Sequence, residues 1–287
     1  MLRSMYSGIS GLKNFQTKLD VIGNNISNVN TYGFKKGRVV FKDLISQTTA
    51  GASGVTDTRG GVNAKQVGLG SQIAAIDTIH GTGALQTTSR TLDLAISGDG
   101  FFMVGDNTGA AATSTVNEVD NVRYTRAGNF YMDAEGYIVD GEGKYLAGEK
   151  SRTGTAPNIQ VVTERIQVPT DAQSMSIGQD GTVSYVDSTG DLQTAGKLVL
   201  AKFPNTGGLE KTGSNYYQPS SNSGDPLFGT ATESGIGSVQ SGFLEMSNVD
   251  LSEEFTDMIV TQRGFQANSR IITTSDEILQ ELVNLKR

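Results

Sequence analysis

The sequence predicts a mixed α and β protein: N- and C-terminal helices that pair as a coiled-coil-like stalk, plus a mainly antiparallel β domain. Two heptad-spaced apolar seams at opposite ends of the 287 residues, and a change to period two between them, carry that prediction. The expected division is 1–30 and 249–287 as the terminal helices of one assembly domain, 31–70 as an extended connector, and 71–248 as an outer β domain.

In "MLRSMYSGISGLKNFQTKLDVIGNNISNVN", Leu2, Met5, Ile9, Leu12, Gln16, Leu19, Gly23 and Ile26 follow one another by alternate steps of three and four. Phe15, Ile22 and Val29 widen this stripe. A second seam runs through Leu251, Phe255, Met258, Gln262, Phe265, Ser269, Ile272, Asp276, Leu279 and Val283. Asp250-Leu-Ser-Glu253 has the form of a capping box, with Asp250, Glu253 and Glu254 near the positive helix start. Lys286 and Arg287 stand at the other end, where cations are favoured. A helix over this stretch is roughly 54 Å long.

Both seams are interrupted by polar or small residues: Gln16 and Gly23 in the first, Gln262, Ser269 and Asp276 in the second. Such positions cost stability and specify register. Two readings stay open. The helices close a stalk within one monomer, or each seam is completed by other copies of the chain. Charge favours pairing of the two ends without giving its stoichiometry. Residues 1–45 carry seven Lys/Arg and two acids, whereas residues 249–287 carry four Lys/Arg and seven acids.

Residues 46–70 hold six Gly and six Ser/Thr with few large apolar side chains, which reads as a connector. In "TLDLAISGDGFFMV", Leu92, Leu94 and Ile96 alternate with Asp93, Ala95 and Ser97, the period of a strand. "NFYMD", "GYIVD", "RIQVP", "TVSYVD" and "KLVLAKF" read as further short strands, separated by turns such as "DAEG", "DGEG" and "DSTG".

Composition excludes several chemistries. With no Cys there is no disulfide framework, thiolate nucleophile or Cys-based zinc site. A net charge of -7 argues against nucleic acid or anionic lipid as the main partner. No run of apolar residues is long enough to span a membrane. Lys13 and Lys18 interrupt any signal-peptide core, so a cleavable signal is not expected. His80 is the only histidine and has no G-x-S-x-G serine to serve, so it reads as structural or merely exposed. The acidic turns 133–136 and 140–143 do not continue into calcium loops. Asp93 and Asp99 as a glycosidase pair would define a competing class, a secreted glycan-binding or glycan-hydrolysing β-domain protein, but Trp is absent. No cofactor, metal or catalytic residue is expected.

Several blocks together resemble a family. "NNISNVNTYGFKK" with "FKDLISQT" resembles the N-terminal signature of bacterial flagellar rod and hook proteins. "VGLG", "TLDLAISGDGFF" and "YTRAGNFYMDAEGYIV" resemble their shared β domain, and residues 241–285 resemble their C-terminal segment. Within the family, "SGISGL" and "MIVTQRGFQANSRII" look most like hook subunits of the short, Bacillus-like form, with the distal rod subunit as runner-up. The resemblance implies a non-enzymatic tubular homopolymer, a flexible joint that carries torque from rod to filament. It implies helices in an inner tube, and export through the flagellar type III apparatus without signal cleavage, to an extracellular place in the flagellum. Implied partners are the chain itself, the distal rod protein, the hook cap and the hook–filament junction protein. The expected assembly surface combines Leu2, Met5, Ile9, Leu12, Leu19 and Ile26 with Gly33 and Phe34 of the "TYGFKK" turn. Leu251, Phe255, Met258, Phe265, Ile272, Leu279 and Val283 complete it.

Overall fold

A computed structural model describes residues 2–106, 119–153 and 160–285. The chain forms two compact units: Met1–Ser27, Lys36–Ile79 and Val249–Arg287 make the first, Asn28–Lys35 and His80–Asn248 the second. The fold class is the expected one, with a helix at each end and antiparallel strands between.

In the first unit, α1 spans Leu2–Ser27 and α2 spans Leu251–Asn284. Asp250 caps α2, its Oδ1 accepting from the Ser252 and Glu253 amides at 2.8 and 3.4 Å. Glu253 does not reach back as a capping box would; its carboxylate takes the Lys36 ammonium at 2.7 Å. Lys286 and Arg287 lie outside the described residues.

The helices run antiparallel, with Gly8 and Gly11 against Asn268 and Phe15 against Gly264. A Cβ on Gly264 would meet the Phe15 ring at 2.8 Å, and one on Gly11 would meet the Asn268 side chain at 3.0 Å. Close approach at these points therefore depends on glycine. Beside the helices, β1 (Gly37–Asp43) pairs antiparallel with β4 (Ser71–Thr78), shifting register between Val40 and Phe41.

Residues 46–70 are not a bare connector. β2 (Ser46–Ala50) pairs with β3 (Lys65–Gly68), and bridges Ser53–Val62 and Thr56–Arg59 continue this ribbon. Its residues are exposed, in line with their composition, but backbone pairing within the ribbon satisfies amides that an open connector would leave to water. Residues 71–78, expected in the β domain, belong to the first unit through β4, and 28–35 belong to the second.

The second unit continues with β5 (Leu85–Thr87), β6 (Leu94–Ser97), β7 (Phe101–Asp106), β8 (Asp120–Thr125), β9 (Tyr131–Met132), β10 (Ile138–Val139) and β11 (Tyr145–Thr153). Then come β12 (Gln160–Arg165), β13 (Ser174–Ile177), β14 (Thr182–Val186), β15 (Leu192–Lys197) and β16 (Leu200–Lys202). β17 (Glu210–Gly213), β18 (Tyr216–Gln218), β19 (Leu227–Gly229), β20 (Ser238–Ser241) and β21 (Phe243–Glu245) complete the unit. The largest sheet runs β17-β18-β8-β7-β11-β10-β9, and β16 also pairs with β7. Alternate residues of β7 feed two cores. Phe102 and Val104 join Leu94, Leu146 and Leu200, while Phe101 and Met103 join Tyr124, Phe203 and Tyr217. Leu92, Leu94 and Ile96 are buried as their alternation implies, but Asp93 and Ala95 are buried as well. The last strands close on the first: β20 pairs with β6 and β21 with β5.

Candidate assembly surface

The two helices meet along a seam that the apolar spacing does not mark on α2, and marks on α1 only through Phe15 and Ile22. On α2 the line is Glu254, Asp257, Thr261, Gly264, Asn268 and Ser275; Glu254, Thr261 and Ser275 are its buried members. On α1 the line is Gly8, Gly11, Phe15, Lys18, Ile22 and Asn25. Each follows heptad steps but lies one residue before the expected seam, a rotation of about 100° round each helix. Small residues allow close approach, and the polar ones find partners. Asn25 Nδ2 donates to Glu254 Oε2 at 3.1 Å and to the Gly37 carbonyl at 2.9 Å, while its Oδ1 accepts from the Gly37 amide at 2.9 Å. Lys18 pairs with Asp257 at 3.0 Å. Thr261 and Ser275 bond back to the carbonyls of Asp257 and Ile271 at 2.6 and 2.7 Å.

The expected apolar seam is consequently only partly covered. Phe255 is 50% exposed, Phe265 37%, Leu251 39% and Val283 66%, while Met258, Ile272 and Leu279 are half-buried. On α1, Ile9 is 50% exposed, and Met5, Leu12, Leu19 and Ile26 are half-buried; Leu2 stands in the first turn. Ile259, Val260, Ile278 and Leu282 add to the uncovered apolar area of α2. α2 therefore presents several exposed aliphatic and aromatic side chains along its outer side.

Gly33 and Phe34 are a correction: both are buried inside the second unit and present no surface. Gly33 has φ +69, and a Cβ there would lie 2.6 Å from the Arg126 and Ala127 backbone. Its amide donates to the Glu245 carbonyl at 2.8 Å. Phe34 lies under the Lys211 ammonium, 5.0 Å from the ring centre.

The next residue, Lys35, was missed. It is fully buried, and its ammonium donates to Glu245 Oε1 at 2.5 Å and to the Gly81 carbonyl at 2.8 Å. Arg126 holds the other carboxylate oxygen at 3.2 Å and donates to the Gly98 carbonyl at 2.8 Å. Desolvation pulls Lys35 below the usual lysine range, although Glu245 opposes the shift. The only hint in the sequence is a single acid inside "SGFLEMSN".

His80 packs against Phe101 and Tyr217, with ring centres 5.7 and 5.3 Å away. Neither ring nitrogen has a hydrogen-bond partner among the described residues. Burial first, then the charges of Lys35, Lys211 and Arg126, lower its pKa to about 4. Asp93 is buried beside Arg90, whereas Asp99 is 73% exposed beside Lys202, so they do not share one environment as a glycosidase pair would. The turn carboxylates Asp133 and Asp140 accept from the Glu135 and Glu142 amides at 2.6 and 2.9 Å, closing hairpins.

Three family models match in chain order. They are the flagella basal body rod protein over residues 5–35, the flagellar hook protein FlgE/F/G D1 domain over 95–185, and the flagellar basal body rod FlgEFG protein C-terminal over 240–285. The flagellar basal-body rod protein FlgG of Bacillus subtilis is 57% identical across 100% of both chains. The chain belongs to the flagellar rod and hook family. It is a structural protein of the flagellum, the motility organelle. The Borreliella burgdorferi relatives are FlgG, 37% identical over 290 positions, and the hook protein FlgE, 33% identical over 453; each match covers 100% of both chains. A crystal structure of the Helicobacter pylori flagellar hook protein FlgE2 overlaps 65% of this chain and 47% of its own. Its identity of 16% and TM-score of 0.23 are too low to carry weight.

Proposed function

We propose that this member of the rod and hook family is a rod subunit, the distal rod protein, rather than the hook subunit that its short motifs suggest. Identity and length together support this reading. The Bacillus subtilis rod protein aligns over 288 positions at 57%, and the Borreliella burgdorferi hook protein over 453 at 33%. A chain of 287 residues matches the first almost position for position and lacks the extra length of the second. The first unit then builds an inner tube and the second the outer layer. The outward apolar seams, from Ile9 and Leu12 on α1 to Phe255, Phe265 and Val283 on α2, are covered by neighbouring copies. The chain carries torque along the tube without chemistry, after export through the type III apparatus.

The observation that carries self-assembly is the rotation of both helices. The monomer closes on the inner seam and leaves the outer apolar seam half-buried or exposed. Open polymers arise from such heterologous contacts repeated by one operation. Complementation tests the rod assignment. Expressed in a strain lacking its rod protein, the chain restores basal bodies that bear hooks; in a strain lacking the hook protein it restores nothing. Rescue of the hook defect alone would overturn the assignment.

A further inference from the structure

We propose that the cavity beside His80 in the second unit binds a small oxyanion, of the size and charge of inorganic phosphate or sulfate. The cavity measures about 220 Å³ and lies between His80, Arg126, Lys202 and the rings of Phe101 and Phe203, with Asp99 also in its wall. All of these residues belong to the second unit, so the site does not depend on how copies assemble. Organic ligands of drug size take clefts of about 300–1,000 Å³, so a small guest fits this one better. Two buried groups of the lining lack partners. Neither imidazole nitrogen of His80 has a hydrogen-bond partner among the described residues, and neither has Arg126 Nε, on a side chain only 4% exposed. The other guanidinium nitrogens of Arg126 are occupied by Glu245 and by the Ile96 and Gly98 carbonyls. A half-turn of the imidazole about Cβ–Cγ exchanges its nitrogens with its carbons, so either edge can supply a donor. Buried donors without acceptors favour a guest that accepts.

Charge favours an anion over water as that guest. Lys202 Nζ donates to the Gly235 carbonyl at 3.0 Å and lies 3.4 Å from Asp99 Oδ2, which leaves it a third N–H. Lys35 and Lys211 stand near enough to His80 to oppose its protonation, as Arg126 does. Lys211 donates to the Lys35 carbonyl at 3.0 Å. Against Lys35, Arg126, Lys202 and Lys211, the carboxylates in contact are Glu245, shared by Lys35 and Arg126, and Asp99, which is 73% exposed beside Lys202. Tyr217, also packed on His80, stays a neutral phenol because burial raises its pKa. Positive charge is therefore in surplus in surroundings that screen it poorly, and an anion there is held by Coulomb attraction that water lacks. The anion in turn offsets the repulsion from Lys35, Lys211 and Arg126, so His80 accepts a proton at higher pH and donates to the bound oxygen.

His80 is the only histidine, so its Cε1–H group gives a single NMR signal in the full-length monomer. Sodium sulfate is the probe, because its charge is constant across the His80 titration, with sodium chloride at equal ionic strength as the reference. Sulfate should move the His80 signal saturably and raise its midpoint from about 4 by about one pH unit or more. Lys202→Gln changes a side chain that is 30% exposed and leaves the cores intact. It should need about tenfold more sulfate for the same response, the effect of losing one charge-assisted hydrogen bond. Identical titrations in sulfate and chloride mean that the cavity holds water only, and overturn the proposal. A sulfate response that never saturates, or that Lys202→Gln leaves unchanged, puts the ion elsewhere and overturns it as well.

Discussion

Glu245 holds two cations, Lys35 and Arg126, where its side chain is 1% exposed. Removing one partner of a buried pair costs far more than the pair contributes, because the remaining charge is left uncompensated. Glu245→Gln is expected to destabilise the second unit by about 3–5 kcal/mol. Urea unfolding followed through tyrosine fluorescence measures this, since the chain has no Trp. His80 adds a pH dependence. Its folded pKa of about 4 lies below the usual 6.5, so the unfolded chain binds the extra proton first as pH falls. The stability associated with neutral His80 is complete above pH 6.5 and is lost progressively toward pH 4, by up to about 3 kcal/mol. His80→Phe should flatten the unfolding free energy across that window while acidic residues keep their own slope below it. A variant with the unchanged slope would remove His80 from this role. Neither Lys35 nor His80 is marked by periodicity, because their burial arises from strands far apart in sequence.

At the scale of the elements, the helices were legible from apolar spacing, and so were many of the short strands. Their mutual orientation was not. Apolar spacing identifies the most hydrophobic stripe, whereas α1 and α2 pair through the stripe that permits closest approach. Gly264 beneath Phe15 shows why: the contact needs the absence of a side chain, which a hydrophobicity pattern cannot register. Gly264→Leu is expected to weaken the helix pair by about 1–3 kcal/mol through overpacking, despite better helix propensity. Thermal melting followed by helical circular dichroism checks it; an unchanged or raised helical transition would contradict the observed register. The connector failed for a related reason. Residues 46–70 have the composition of an unstructured link, but pairing within a ribbon needs no large side chains. Gly33 was placed in the "TYGFKK" turn, but its burial follows from the Arg126–Ala127 backbone, about ninety residues on in sequence, which periodicity cannot show.

For the whole molecule, function follows from what the monomer leaves undone. The second unit closes its own cores, with its first and last strands paired. The first unit closes on a seam of small and polar residues with Phe15 and Ile22 among them, and leaves its outer aromatic and aliphatic seam half-buried or exposed. In the proposed assembly, association of many copies gains burial that folding of one copy does not. Phe265 tests this most directly, because its side chain stands on the outward seam immediately after Gly264 on the inward one. Truncating a buried Phe to Ala costs about 3–5 kcal/mol where the ring is in a core. The decisive measurement is paired: unfolding of monomeric Phe265→Ala, and the critical concentration of its polymer. Monomer stability within about 0.5 kcal/mol of the unsubstituted chain, with polymerisation abolished or shifted to a far higher concentration, is the expected result. A monomer destabilised by several kcal/mol with an unchanged critical concentration would mean that Phe265 serves the stalk within one chain, and that the assembly surface lies elsewhere.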